Sequence, residues 1–183
     1  FYHRAKQDPS ISLEILTALS LERPQAHPGL EARFMGPFVA RVFGDYVDLE
    51  YMKDIRSGTV PANVSICEFF FKSGALVGND YAQQHYISTN YTYASRDILL
   101  RGVNVLAQIV AKREVEVADG TEVRYSLACN PESALDMYPH LVDRKLKGEN
   151  IAVIGIVHAD LPYMVNDAEV SPDFFDVVVD EPQ

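Results

Sequence analysis

Cysteine is scarce in this chain: two in 183 residues, Cys67 and Cys129, too few and too far apart to staple a fold. Both stand in strand-like contexts with no Cys neighbour. Each is expected to be a core thiol of a reduced, intracellular protein, not half of a disulfide or a zinc ligand. No apolar run approaches a membrane span and no signal-peptide pattern is present, so no membrane partner is expected. Positive charge is also in short supply. Sixteen Lys and Arg stand against 26 Asp and Glu, a formal charge of −10. Phosphate-backbone binding needs a basic surface, so nucleic acid is excluded as a partner. Three catalytic signatures are missing as well. Gly74 and Gly78 do not make a Gly-x-Gly-x-x-Gly fingerprint, and there is neither a Gly-x-Ser-x-Gly elbow nor a His-Glu-x-x-His helix. No metal site and no tightly bound cofactor are expected, and the compartment expected is the cytoplasm.

What is present is strand and helix signal in alternation. The chain opens within Phe1-Tyr2-His3-Arg4-Ala5-Lys6, which has the character of a helix tail, so a piece of a longer polypeptide is expected. Ser12–Leu19 is a strand candidate after the Asp8-Pro9 turn. Leu30, Phe34, Phe38 and Val42 recur every fourth residue, with Met35, Val39 and Phe43 beside them, which predicts one helical face. Pro37 inside it predicts a kink or a split into two short helices. Leu49, Met52 and Ile55 predict a second helix closed by Ser57-Gly58. Val64–Phe71 is a second strand, Tyr93–Arg101 a helix stopped by Gly102, and Val103–Lys112 a third strand. Asp119-Gly120 predicts a hairpin between 114–117 and 122–128. Asn130-Pro131 supplies a cap and a first-turn proline for a helix over 132–142, which Pro139 threatens to break. Ile151–Val157 is a continuous apolar run, as in a strand covered on both faces, and Phe174–Val179 closes the chain as a further strand. The pattern predicts a single α/β domain over 1–183: a mostly parallel open sheet of about six strands, helices on both faces, one β-hairpin.

Ligands in open α/β sheets sit where loops leave the carboxyl ends of strands. The loop His158–Val165, after the apolar run, is one such place. The other is 81–92, the densest set of hydrogen-bonding side chains in the chain. Amides and a neutral imidazole orient a carboxylate or thioester carbonyl without adding charge. The pocket candidates are Gln84, His85, Tyr86, Asn90, His158 and Pro162. The plainer reading of 81–92 is a polar helix start capped by Ser88 or Thr89. Glu68 and Glu169 are read as ordinary exposed or paired carboxylates. His3, His27 and His140 are read as surface or helix-end residues. Two further readings stay open: a non-catalytic lobe whose role is packing, and a Rossmann-like small-molecule binding domain.

Several segments in combination resemble the acetyl-CoA hydrolase/transferase family: Leu16–Pro24 (LTALSLERP), Leu30–Leu49, Glu68–Gly78 with Gln83–Thr92, Arg101–Lys112 and Tyr125–Pro131 (YSLACNP). The run Val157-His158-Ala159-Asp160-Leu161-Pro162 looks like the end of that family's first lobe, with His158 where the family usually has Asn. The resemblance implies the N-terminal lobe of a two-lobe enzyme, CoA-transferase-like in fold, without the family's first strand and glycine-rich loop. It implies coenzyme A thioester as substrate, a short carboxylate as co-substrate, and the second lobe of the same polypeptide as partner. A homo-oligomer is compatible with it. It also implies that the glutamate nucleophile, which forms a glutamyl-CoA intermediate, belongs to the second lobe, so no catalytic residue is expected in this chain. With so acidic a chain, contact is expected with the acyl end of coenzyme A and not with its phosphates.

Overall fold

The computed structural model describes residues 1–44, 46–127 and 131–181, with the side chains of 131 and 132 left aside. The chain divides into two compact units, Phe1–Asn90 and Tyr91–Gln183.

Unit 1 holds helices α1 (Tyr2–Gln7), α2 (Leu30–Phe43), α3 (Glu50–Ser57) and α4 (Asp80–Gln84), with strands β1 (Leu13–Thr17) and β2 (Val64–Glu68). β1 and β2 pair in parallel, Leu13 opposite Val64 through Thr17 opposite Glu68. The pairing runs on past the strands, with Phe69 N–H donating to Thr17 O and Phe70 N–H to Ala18 O. The core is small: Tyr2 and Ala5 of α1, Met52 and Ile55 of α3, and Val64 and Ile66 of β2. Alternation along β2 and a spacing of three along α1 and α3 put these side chains on one side. Polar groups lock the same core. Asn63 Nδ2 donates to Ala5 O (2.9 Å) and Ile11 O (2.7 Å), and the Tyr81 hydroxyl accepts Ile66 N–H (2.9 Å). Gly58, left-handed at φ 69°, ends α3 as the Ser57-Gly58 signal predicts.

Helix α2 departs from expectation twice. It runs unbroken through Pro37. Its stripe Leu30, Phe34, Phe38 and Val42 points outward, while Ala32, Met35, Val39 and Phe43 form the half-buried side. Spacing by four identifies a face but not which way it turns. The inward side here is the less bulky one.

Unit 2 holds α5 (Tyr91–Leu100), β3 (Val105–Val117), β4 (Gly120–Ser126), α6 (Pro131–Leu146), β5 (Ala152–Val157), β6 (Glu169–Val170) and β7 (Val177–Val179). Its sheet has the order β6-β4-β3-β5-β7. β3 pairs antiparallel with β4 and parallel with β5; β4–β6 is antiparallel and β5–β7 parallel.

The mostly parallel six-strand sheet is therefore not the fold. A two-stranded parallel sheet and a five-stranded mixed sheet take its place. The reason lies in β3, which continues for 13 residues through the expected break near Lys112 into the hairpin. Its partner β4 then pairs antiparallel and fills the edge where a further parallel strand would add. β5 is also not covered on both faces. Ile151, Val153 and Gly155 are buried while Ile154 and Ile156 are half-buried. The segment expected as a strand from Phe174 instead starts with a 3-10 turn over Pro172–Phe174, and β7 follows at Val177. Helix α6 runs through Pro139 to Leu146. The Asn130 cap and the Cys129 thiol lie outside the described residues.

Candidate functional site

In unit 1 the chain after β1 and the chain after β2 leave the same end of the parallel pair. At that end the side chain of Glu68, 3% exposed, turns inward. It accepts Ser20 N–H at 2.9 Å and the Ser20 hydroxyl, which also meets the Tyr51 hydroxyl at 2.6 Å. Burial pushes the Glu68 carboxyl above the usual carboxylate range, against the pull of the two Ser20 hydrogen bonds. Burial likewise raises the Tyr51 phenol. These groups tie the first turn of each loop to α3 and leave no buried polar side-chain atom unsatisfied among the described residues.

Beyond this tie the loop 22–27 stands between two clefts. One, about 390 Å³, is polar: Arg23, His27, Arg56 and Lys72 face it, with Glu22 and the turn Ser73-Gly74. Arg56 is held by a bidentate pair with Glu22 (2.6 and 2.5 Å), and Arg23 donates to Asp48 at 2.9 Å. Lys72 makes no ion pair among the described residues. The other cleft, about 520 Å³, is mainly apolar and lies between Arg23–Ala26 and the Ala32, Met35, Gly36, Val39 side of α2. Arg23 and Gln25 line both. A polar cleft with the unpaired Lys72 beside two carboxylate-paired arginines, next to an apolar cleft, suits a small amphiphile with an anionic or strongly polarised head.

The residues expected to form a pocket are distributed differently. His85 closes α4, a short helix that precedes Ser88 and Thr89; the helix after those two residues is α5, which starts at Tyr91. Asn79 is the cap of α4, its Oδ1 accepting Ala82 N–H. His85 Nδ1 lies 2.9 Å from Tyr81 O, so Nδ1 carries the proton, and its ring stacks on Tyr81 with centroids 3.9 Å apart. Its backbone runs beside β2: Glu68 N–H donates to His85 O and Ile87 N–H to Glu68 O. The polar passage 83–90 is thereby held against the Glu68 end of β2. Gln84, Tyr86 and Asn90 are exposed, and Tyr86 also rests on Phe71 (5.4 Å, tilted). None of the four lines either of the two clefts.

His158 and Pro162 belong to unit 2. His158 follows β5, its N–H donating to Val110 O, and its Nδ1 accepts Asp160 N–H at 3.3 Å, which places its own proton on Nε2. Pro162 is exposed. Their loop is pinned at its far end. The fully buried Ser126 hydroxyl donates to Met164 O (2.7 Å) and accepts Met164 N–H (2.8 Å). Tyr163 donates to Glu169 (2.8 Å), which also takes Arg113 and Arg124. Those partners hold the Glu169 carboxyl below the usual range, Arg124 most of all. Glu169 is thus a paired structural carboxylate.

Cys67 is a buried thiol, 4% exposed. Among the described residues no group of three or more His, Cys, Asp or Glu is arranged to hold a metal, and no helix is long and apolar enough to cross a membrane. Arg23, Arg56 and Lys72 were not singled out by sequence reasoning. The available signal for Arg23 and Lys72 was their position after the carboxyl ends of β1 and β2; Arg56 comes from the last turn of α3. No family model, curated protein or solved structure matches this chain.

Proposed function

We propose that this chain is a lobe of an acyl-CoA hydrolase or CoA-transferase and takes up a short acyl group or carboxylate. The observation that carries the reading is the pair of clefts that share Arg23 and Gln25 at the carboxyl end of β1. The cationic side suits a carboxylate or a polarised thioester oxygen, and the Met35–Val39 side suits a short alkyl tail. The segments that resemble the acetyl-CoA hydrolase/transferase family support it, and two of them, 16–24 and 68–78, supply the loops at this end. In this reading the attacking glutamate belongs to a second lobe. Glu68 is tied to Ser20 and Glu169 to two arginines, so both carboxylates already have structural employment.

Calorimetric titration of the chain with acetyl-CoA and with acetate tests the proposal. Saturable binding is expected, weakened by Lys72→Ala and by Met35→Trp, which fills the apolar cleft. The chain alone is expected to show no thioester cleavage. Absence of binding up to millimolar ligand overturns the reading. Thioester cleavage abolished by Glu68→Gln would overturn the placing of the nucleophile.

A second reading, a lobe that acts only by packing, is favoured by one observation: the outer stripe of α2 lies bare. It predicts no acetyl-CoA binding at all.

A further inference from the structure

The apolar cleft of unit 1 has more room than a two-carbon acyl group fills. It measures about 520 Å³. At about 30 Å³ per heavy atom, the share of one molecule in liquid water, that volume holds roughly ten atoms or more. The cleft is also elongated. Its α2 wall runs from Ala32 to Ala40 through Met35, Gly36 and Val39, about 12 Å of helix. Gly36 adds no side chain to that wall, and a Cβ built there would meet nothing from the rest of the fold within 4 Å.

The adjoining polar cleft offers a single unmatched charge. Of the Lys and Arg side chains that line it, Arg56 is neutralised by Glu22 and Arg23 by Asp48. Among the described residues the Lys72 ammonium has no partner, and neither has the side-chain amide of Gln25, which lines both clefts. An ammonium and an amide N–H suit the two oxygens of one carboxylate. A phosphate dianion or a second carboxylate would bring negative charge with no cation to meet it, on a chain whose formal charge is already −10.

We infer that the two clefts form one site for a linear monocarboxylic acyl chain of about six to ten carbons, its carboxylate on Lys72 and Gln25 and its tail laid along Met35, Gly36 and Val39. The inference rests on the reading of these clefts as an acyl site and goes further by naming the chain length and the charge of the ligand. Each methylene that leaves water for the apolar cleft is worth about two- to fourfold in affinity. Affinity therefore climbs from acetate to octanoate, and it climbs on the inner side of α2, not on the outer row Leu30, Phe34, Phe38 and Val42.

Calorimetric titration of the 183-residue chain with acetate, butyrate, hexanoate and octanoate tests it, with octanol and the eight-carbon dicarboxylate suberate as controls. A steady rise in affinity with chain length is expected. Octanol, without a charge, and suberate, with a second charge at the tail end, are each expected to bind about tenfold more weakly than octanoate. Lys72→Ala is expected to lower the affinity of every acid by a similar factor and to leave the gain per methylene intact. Ala40→Leu, which puts a good helix former into the wall of the apolar cleft, is expected to flatten the gain and to cost octanoate more than acetate. Phe34→Glu, on the outer row, is expected to change neither. Circular dichroism verifies that each variant is folded; Lys72, Ala40 and Phe34 are all exposed. Equal affinity for acetate and octanoate overturns the inference and leaves the acyl site standing. A gain with chain length that survives Ala40→Leu, or that Phe34→Glu removes, overturns it as well, and so does octanol or suberate binding as tightly as octanoate. No binding of any acid, together with none of acetyl-CoA, overturns the acyl site itself.

Discussion

Gly155 lies under the ring of Phe175: a Cβ built on the glycine would stand 3.1 Å from Phe175 Cδ1 and 3.2 Å from Cε1. The ring is itself fixed, edge-on to Tyr125 and to Phe174. The glycine in the middle of β5 is therefore a packing requirement, and it explains how the aromatic turn after β6 closes on the sheet. Gly155→Ala is expected to lower stability by about 1–3 kcal/mol through overpacking, and Gly155→Val by more. Urea denaturation measures it. An unchanged midpoint would mean that Phe175 moves aside freely.

Ser126 fastens the loop that carries His158 and Pro162. Its hydroxyl both donates to Met164 O and accepts Met164 N–H, and the residue is fully buried. Ser126→Ala removes both hydrogen bonds to the backbone of Met164, an exposed residue where water can take their place in part, so a cost of about 1 kcal/mol or less per bond is expected. Hydrogen exchange is expected to accelerate at Met164 and its neighbours before the rest of unit 2 responds. Uniform exchange rates across the unit would argue against a local fastening.

Asp54 is an acid-sensitive point of unit 1. Lys6 Nζ lies 2.6 Å from it, Tyr2 donates to it at 2.5 Å, and Thr59 at 3.0 Å. Lys6 above all, then Tyr2, hold its carboxyl below the usual aspartate range. A depressed folded-state pKa stabilises the fold above the unfolded value and ceases to do so as pH falls through the folded one. The Asp54→Asn variant is thus expected to be less stable than the parent at neutral pH, with the gap closing at strongly acidic pH. Denaturation at a series of pH values reads this directly. A gap that stayed constant would remove Asp54 as its source.

Glu68 has the opposite sign. Burial raises its carboxyl, so its contribution is fully favourable below the unfolded pKa and is lost as pH rises through the folded one. Glu68→Gln keeps an acceptor for Ser20 and removes the buried charge. It is expected to match or exceed the parent in stability at neutral pH and to fall behind it in acid. A strong loss at neutral pH would show that the ionised form is the one the fold requires.

Sequence patterning located most elements, because turn chemistry and apolar spacing are local: the Ser57-Gly58 stop, the Asp119-Gly120 hairpin and the closing apolar run all stand at or near their expected positions. Sheet membership was not legible. Whether β3 ends at Lys112 or runs on to Val117 decides which strand becomes its neighbour, and both halves are equally strand-like in residue type. The orientation of α2 was not legible either, since its aromatic row is more apolar than the side it buries. At the two clefts the signal available in the sequence was position along the chain. The amide- and imidazole-rich passage lies beside β2, while the polar cleft is lined by Arg23 and Lys72 from the loops after β1 and β2 and by Arg56 from the last turn of α3. Long cationic side chains look like ordinary surface residues until the strand ends bring them together.

The most direct measurement is a backbone amide NMR titration of the chain with acetyl-CoA. The account predicts saturable shifts concentrated in 20–27, 72–75 and the adjoining side of α2, and their loss in Lys72→Ala. Shifts confined to other surfaces, or none at millimolar ligand, would contradict it.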